Sequence, residues 1–227
     1  MGYRERVVAM RPIGYWPLMR VVEPCFAGVG GSATLTNGAA NAHWGASLLR
    51  GGGDRRTRSL LDPSTNCLWQ VPSYAALDTP TLTAAVWFQQ KNLGLTHYPL
   101  ARDNSGGSGD QRAWQFAVLS TGNMRLVDNG STHVFAGTRT DLLDNRPHLL
   151  GFHYSASLIE FWCDGKLDAS FSSSIATPAT SSGTTLFLGA HNNGSGSCQS
   201  IAHATVFNRR LLSGDWRALC TAAASAA

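Results

Sequence analysis

The stretch LIEFWCDGKLDASF, residues 158–171, has the pattern of two strands joined by a two-residue turn. Apolar and polar side chains alternate on both sides of the bend, as in half-buried strands. An Asp-Gly pair is the signature of a type I′ turn, in which both central residues take positive φ. Asp164 and Gly165 are therefore predicted to be structural turn residues. The alternation predicts one apolar face on each arm: Ile159, Phe161 and Cys163, then Leu167, Ala169 and Phe171.

Other stretches of strand length surround this hairpin in the sequence. TLTAAVWFQ (81–89) alternates Leu82, Ala84, Val86 and Phe88 with Thr81, Thr83, Ala85 and Trp87. WQFAVL, NMRLVD, HLLGFHY and TTLFLGA have similar lengths, and glycine-rich turns such as residues 102–110 and 191–197 lie between them. Many short strands with turns between them predict an all-β antiparallel sandwich or barrel.

The two ends of the chain predict short helices. Residues 3–10 form two helical turns before Pro12, so residues 1–12 are interpreted as an N-terminal helix or arm. Ser213 is predicted to cap a C-terminal helix with Asp215 in its first turn, and residues 221–227 are predicted to be a flexible tail. Residues 24–58 are the least regular, with strands predicted at 33–35 and 47–49. We interpret residues 1–227 as a single domain.

Arginine carries almost all of the positive charge. The formal net charge is +4 at pH 7, and the only lysines are Lys91 and Lys166. Arg55, Arg56 and Arg58 follow three glycines, which is typical of a loop rather than of a basic face with interleaved aromatic residues. They are predicted to be assembly contacts with an acidic protein surface, and nucleic acid is not expected as a partner.

Five cysteines at irregular spacing predict free thiols rather than a disulfide framework. A bridge between Cys198 and Cys220 is the alternative. No stretch resembles a signal peptide or is long enough to span a membrane, so we expect a protein made in the cytoplasm and no membrane partner.

Four segments together resemble the laminin-G-like, concanavalin A-like jelly roll, in the compact form found in phage and bacterial structural proteins. They are YRERVVAMRPIGYWPL, CLWQVPSYAALDTPTLTAAVWFQ, RPHLLGFHYSASLIEFWCDGKLDAS and TLFLGAHNNGSGSCQSIAHATVFNRRLLSGDWRAL. The resemblance covers most of the chain, weakly in residues 24–60, and implies an antiparallel β-sandwich with short N- and C-terminal helices. The chain has His203 where the family often has an acidic residue, so no calcium site, metal or other cofactor is expected.

The carboxylates argue against an enzyme. Glycosidases need two acidic side chains facing one glycosidic bond, whereas Glu5, Glu23 and Glu160 are widely separated. Asp164 is four residues from Glu160 but is assigned to the turn. His148 and His153 project to opposite faces of a strand, and no G-x-S-x-G motif is present. No catalytic residue is predicted.

A sugar-binding face would use exposed aromatic rings beside amide-rich loops. The candidate glycan-binding residues are Trp44, Tyr98, Asn104, Asn192 and Asn193, with Trp69, Trp87 and His97 as further aromatic candidates. Trp16, Trp87, Trp114 and Trp162 also fit strand patterns and are interpreted as core residues.

The resemblance implies a non-enzymatic virion structural protein, located on a phage head or in a tail or fibre. Its predicted partners are other virion proteins, capsid or tail, and copies of itself. The alternative is a carbohydrate-binding module that adheres to surface polysaccharide. The two interpretations are compatible, since a particle protein can also bind glycans.

Overall fold

A computed structural model describes residues 2–18, 22–36, 42–45, 48–49, 57–60, 68–72, 75–103, 113–128, 133–172, 184–191 and 198–224. Its elements in chain order are α1 Tyr3–Ala9, β1 Gly14–Trp16, β2 Val22–Glu23, β3 Ala27–Gly28, β4 Ala33–Thr36, β5 Ala42–Gly45, β6 Thr57–Leu60, β7 Leu68–Val71, β8 Thr81–Gln89, β9 His97–Asp103, β10 Trp114–Val118, β11 Met124–Asp128, β12 His133–Ala136, β13 His148–Ser155, β14 Leu158–Cys163, β15 Lys166–Ser172, β16 Thr185–Leu188, β17 Ser200–Phe207 and α2 Ser213–Ala224.

The strands form two antiparallel sheets that pack face to face. The first sheet has the order β15-β14-β13-β8-β17-β1-β3, with β6 also paired to β17 and β5 paired to β6. The second has the order β12-β11-β10-β9-β16-β7-β4-β2. The predicted class, an antiparallel jelly-roll sandwich with a short helix near each end, is confirmed.

The core lies between the sheets and follows the predicted alternation. On β8 the core side chains are Leu82, Ala84, Val86 and Phe88, and on β10 they are Trp114, Phe116 and Val118. Ala85 and Trp87, on the other face of β8, belong to a second apolar cluster. The first sheet is therefore apolar on both faces, because the two helices cover its outer side.

Helix α2 covers the outer face of the first sheet through Trp216. The Trp216 ring stacks on Trp162 with 5.5 Å between centroids and 10° between planes. Where Trp216 crosses β13, the strand has Gly151, and a Cβ built there would lie 2.3 Å from Trp216 Cη2. Only a residue without a side chain allows this close approach.

The C-terminal helix is longer than predicted. Residues 221–224 were assigned to a flexible tail, but α2 continues to Ala224, with Ala222 and Ala223 buried in the outer cluster. At its start, Asp215 Oδ2 accepts a hydrogen bond from Leu212 N, so Asp215 rather than Ser213 caps this end. Residues 225–227 lie outside the described residues.

The central hairpin has the predicted turn and an unpredicted bulge. Asp164 and Gly165 have φ values of 51° and 77°, which confirms the left-handed conformation of a type I′ turn. However, Trp162 pairs with Leu167 while Phe161 pairs with Ala169, so Asp168 is an extra residue in β15. The bulge reverses the alternation, and Leu167 is 49% exposed rather than on the core face.

The irregular N-terminal third is only partly as predicted. The strand at 33–35 is confirmed within β4, and α1 is confirmed within residues 1–12. The strand predicted at 47–49 is wrong for Leu48 and Leu49, which form a bend, and Ser47 lies outside the described residues.

In the described part of the chain, no helix combines the length and apolar character that crossing a membrane requires.

Candidate functional site

The structure describes few of the predicted binding residues. Trp44 and Arg58 lie on the paired strands β5 and β6, but their side chains are outside the described part. The remaining residues outside the description are Arg55, Arg56, Asn104, Asn192 and Asn193. Trp69 and His97 were wrong as surface candidates, because both are fully buried. Trp16, Trp87, Trp114 and Trp162 are buried, as the core interpretation required.

Tyr98 belongs to a polar cluster on the second sheet. Its ring lies 5.2 Å from the His191 ring, and its hydroxyl is 3.5 Å from Arg125 Nη2. Asp103 Oδ2 accepts a hydrogen bond of 2.9 Å from Gln115 Nε2 and lies 2.9 Å from His191 Nε2. We call Tyr98, Asp103, Gln115, Arg125 and His191 the Tyr98 cluster.

The Tyr98 cluster has one cation without a carboxylate partner among the described residues. Asp103 is buried and is already shared by Gln115 and His191. Arg125 makes no ion pair in the described part of the chain, and its Nε has no hydrogen-bond partner there. The partly exposed members of the cluster are therefore Tyr98, His191 and Arg125, because Gln115 and Asp103 are buried.

Sequence reasoning found Tyr98 but missed the other members. Gln115 and Arg125 stand at outward positions of WQFAVL and NMRLVD, where a polar residue marks the face away from the core. Asn104 follows Asp103 directly and Asn192 follows His191, so the predicted amides adjoin the cluster in sequence. The missing signal was the sheet order, which places β9, β10 and β11 side by side.

A second site is a pocket of about 550 Å³ at the turn end of the β14–β15 hairpin. We call it the hairpin-end pocket. Its walls are Leu48, Trp87, Arg139, Asp141, Asp144, Arg146, Pro147, His148, Asp164, Cys220 and Ala223.

Asp164 organises the hairpin-end pocket. Its Oδ1 accepts a hydrogen bond from Leu149 N at 2.9 Å, and its Oδ2 lies 2.8 Å from His148 Nδ1 and 3.4 Å from Arg139 Nη1. Arg139 also forms a bidentate pair with Asp141. The turn residue thus has a second role, tying the loop before β13 to the hairpin.

The charges in this pocket stabilise one another. Burial lowers the pKa of His148, but its hydrogen bonds and charge interactions with Asp164 and Asp144 outweigh burial and raise it. Burial raises the pKa of Asp164, but the hydrogen bonds from His148, Leu149 N and Cys163, together with the charge of His148, outweigh burial and lower it. Burial raises the pKa of the neighbouring Cys163 thiol.

Three side chains that can ligate a metal lie together here: His148 and Asp164 in the pocket wall, and the buried Cys163 beside them, outside the wall. One ligand atom each from His148, Cys163 and Asp164 lies within 4.8 Å of the others. The sequence indicated no metal site, because Asp164 was assigned only to the turn and His148 was compared only with His153. Their approach depends on the pairing of β13 with β14, which the spacing of the residues does not reveal.

The cysteines are free where the structure describes them. Cys25, Cys163, Cys198 and Cys220 are unbridged, so the alternative Cys198–Cys220 bridge is wrong. Cys67 lies outside the described residues.

Two antiparallel sheets on a shared core, with a helix docked on one outer face, define the class of concanavalin A-like jelly-roll proteins. The chain belongs to the laminin-G-like family of the concanavalin A-like lectin/glucanases superfamily, whose sequence model matches residues 64–215. No curated protein matches the chain in sequence.

Several solved structures share the fold at low identity. Trypanosoma rangeli sialidase in complex with 2,3-difluoro-KDN is 14% identical, with a TM-score of 0.66 over 94% of this chain and 33% of the sialidase. The binding domain of Paraclostridial mosquitocidal protein 1 is 12% identical, with a TM-score of 0.66 over 94% of this chain and 52% of that chain. The binding domain of botulinum neurotoxin DC, in complex with rat synaptotagmin II, is 11% identical, with a TM-score of 0.65 over 95% and 52%.

The chain therefore spans a third of the sialidase and about half of the two toxin chains. At these identities the likeness establishes the fold alone.

Proposed function

We propose that this protein is a non-enzymatic binding protein that acts through surface contacts. The observation that supports the absence of catalysis is the state of Glu160. Its carboxylate is buried and is held by Arg210 through Nε at 3.0 Å and through Nη2. This burial and this pairing argue against Glu160 as a general acid or nucleophile.

For the particular role, we propose a structural component of a virus particle, as the resemblance in sequence suggested. The supporting observation is the segment 22–29, which holds three exposed apolar side chains: Val22, Phe26 and Val29. In the described part of the structure, this segment contributes the last strand of each sheet path, β2 and β3. Apolar side chains beside open strand edges favour contact with another protein chain.

We expect Val29→Lys to lower incorporation into particles about tenfold or more, because it places a charge in a desolvated contact. Val29 is 72% exposed in the isolated chain, so folding should be unaffected. The matched control is Leu167→Lys on β15, at the other end of the first sheet. The measurement is immunogold labelling and quantitative blotting of particles and cells of the source. Label on cell walls with bare particles would overturn the virion role.

A saccharide-binding role is a second candidate, favoured by the Tyr98 cluster. A half-buried aromatic ring beside a partly exposed guanidinium and imidazole suits a sugar ring, which presents both C–H faces and hydroxyls. Arg125, which pairs with no carboxylate among the described residues, favours a saccharide that carries a carboxylate, since such a group pairs well with a guanidinium. This role is compatible with a position on a particle surface.

A glycan array comparing neutral and uronic- or sialic-acid-containing saccharides tests the second candidate. We expect Tyr98→Ala to weaken binding about tenfold through the loss of ring contact. Arg125→Gln should remove the preference for carboxylated glycans, whereas Arg146→Gln, outside the cluster, should not. Absence of saturable binding by the wild-type chain would exclude this role.

A further inference from the structure

We propose that the hairpin-end pocket binds a divalent transition-metal ion of the zinc type through His148 Nδ1, Cys163 Sγ and Asp164 Oδ2. This site is separate from both the segment 22–29 and the Tyr98 cluster, so the proposal does not depend on either proposed function.

The three donor atoms lie close enough together to share one ion. Asp164 Oδ2 lies 2.8 Å from His148 Nδ1 and 3.4 Å from Cys163 Sγ, and all three ligand atoms lie within 4.8 Å of one another. Zinc bonds of roughly 2.0 Å to nitrogen and oxygen and 2.3 Å to sulfur fit such a set after small side-chain adjustments.

The groups that hydrogen-bond to the proposed ligands are arranged as in known metal sites. Asp144 Oδ1 lies 3.2 Å from His148 Nε2, so it accepts a hydrogen bond from the N–H at that nitrogen. This leaves His148 Nδ1 to face the ion. Leu149 N donates to Asp164 Oδ1, which orients the other carboxylate oxygen. His148 and Leu149 lie at the start of β13, and Asp164 lies in the turn that follows β14.

The position between the donors already attracts a cation from this chain. Arg139 Nη1 lies 3.0 Å from Cys163 Sγ and 3.4 Å from Asp164 Oδ2. On its other side, the guanidinium is paired with Asp141, which is 60% exposed. Arg139 can therefore turn outward with Asp141 and make room for a metal ion, so the guanidinium and the ion compete.

The ligand chemistry selects the ion. A thiolate and an imidazole favour zinc, cobalt or related ions over calcium and magnesium, which prefer oxygen ligands. On binding, Cys163 loses its thiol proton and His148 loses the proton on Nδ1, and both protons pass to water. The thiolate and the carboxylate of Asp164 then balance the two positive charges of the ion.

The test is titration of the intact chain with Co²⁺, followed by displacement with Zn²⁺. We expect tetrahedral d–d bands and a thiolate-to-cobalt charge-transfer band that Zn²⁺ removes. Arg139→Gln should bind Co²⁺ about tenfold more tightly or better, because it removes the competing positive charge. Cys163→Ser should lose the charge-transfer band, and Cys25→Ser, the control thiol, should keep it.

The gain expected for Arg139→Gln keeps the test informative even where Cys163→Ser fails to fold. If wild type and Arg139→Gln both lack a charge-transfer band, the proposal is wrong. A band that persists in Cys163→Ser, or that disappears in Cys25→Ser, would assign the metal to another thiol and would also overturn it.

Discussion

Replacing Gly151 by alanine is expected to lower the free energy of unfolding by about 3 kcal/mol, at the upper end of the usual cost of overpacking. The added Cβ would lie 2.3 Å from Trp216 Cη2 and 2.5 Å from the backbone oxygen of Ala84. Neither obstacle yields easily. Ala84 O belongs to the central strand β8, and Trp216 is fully buried and stacked on Trp162.

Thermal unfolding monitored by circular dichroism measures this effect. For a domain of this size, the expected loss corresponds to a fall in Tm of roughly 6–12 °C. The matched control is Gly214→Ala in α2, where a Cβ meets nothing within 4 Å. That substitution should leave Tm unchanged or raise it slightly, since alanine favours helix over glycine. Equal Tm values for Gly151→Ala and wild type would show that α2 does not dock over Gly151.

Acidification from pH 7 to pH 4 is expected to cost about 3 kcal/mol of stability through His153 alone. The His153 side chain is buried between β8 and β14, with Nδ1 3.2 Å from Thr83 Oγ1. Burial lowers its pKa to about 4, and the nearby charge of Arg210 adds to this, while Glu160 opposes it. The folded chain therefore holds His153 in its neutral form.

The direction of the pH effect follows from the two pKa values. In the unfolded chain, His153 takes up a proton as the pH falls through its ordinary value of 6.5. The folded chain takes up this proton only near pH 4. Between pH 6.5 and pH 4 the unfolded state therefore binds more protons than the folded state, and the free energy of unfolding falls as the pH is lowered. The gap between the two pKa values corresponds to about 3 kcal/mol.

Denaturant unfolding at a series of pH values separates this effect from other titrations. Relative to wild type, His153→Gln should flatten the dependence between pH 6.5 and pH 4. Identical pH dependence in wild type and His153→Gln would contradict the neutral, buried state of His153.

Much of the fold could be predicted from local patterns. The period-two alternation identified the core faces of β8 and β10, and Asp164-Gly165 identified the hairpin turn. The alternation predicted the wrong face for Leu167, because the bulge at Asp168 reverses the alternation in β15. In the described structure, Asp168 accepts hydrogen bonds from Thr138 N and Arg139 N, a contact about 30 residues distant in sequence that no local pattern reveals.

The candidate sites were less predictable than the fold. Tyr98 was found because an aromatic residue stood near a predicted turn. Gln115 and His191 are 76 residues apart, and they meet because β9 lies between β10 and β16 in the sheet. Likewise, Arg139 approaches Cys163 from a loop 24 residues earlier in the chain.

The sequence by itself determined the long strands β8, β13 and β14, the core faces of β8 and β14, and where the central hairpin turns. These properties depend on backbone preferences and on side-chain alternation within a few residues. Only the tertiary structure decided that Trp216 packs over Gly151, that Asp164 gathers His148 and Arg139, and that Arg125 has no carboxylate partner among the described residues. Such contacts depend on strand order and register, which are set by the joint packing of segments far apart in the chain.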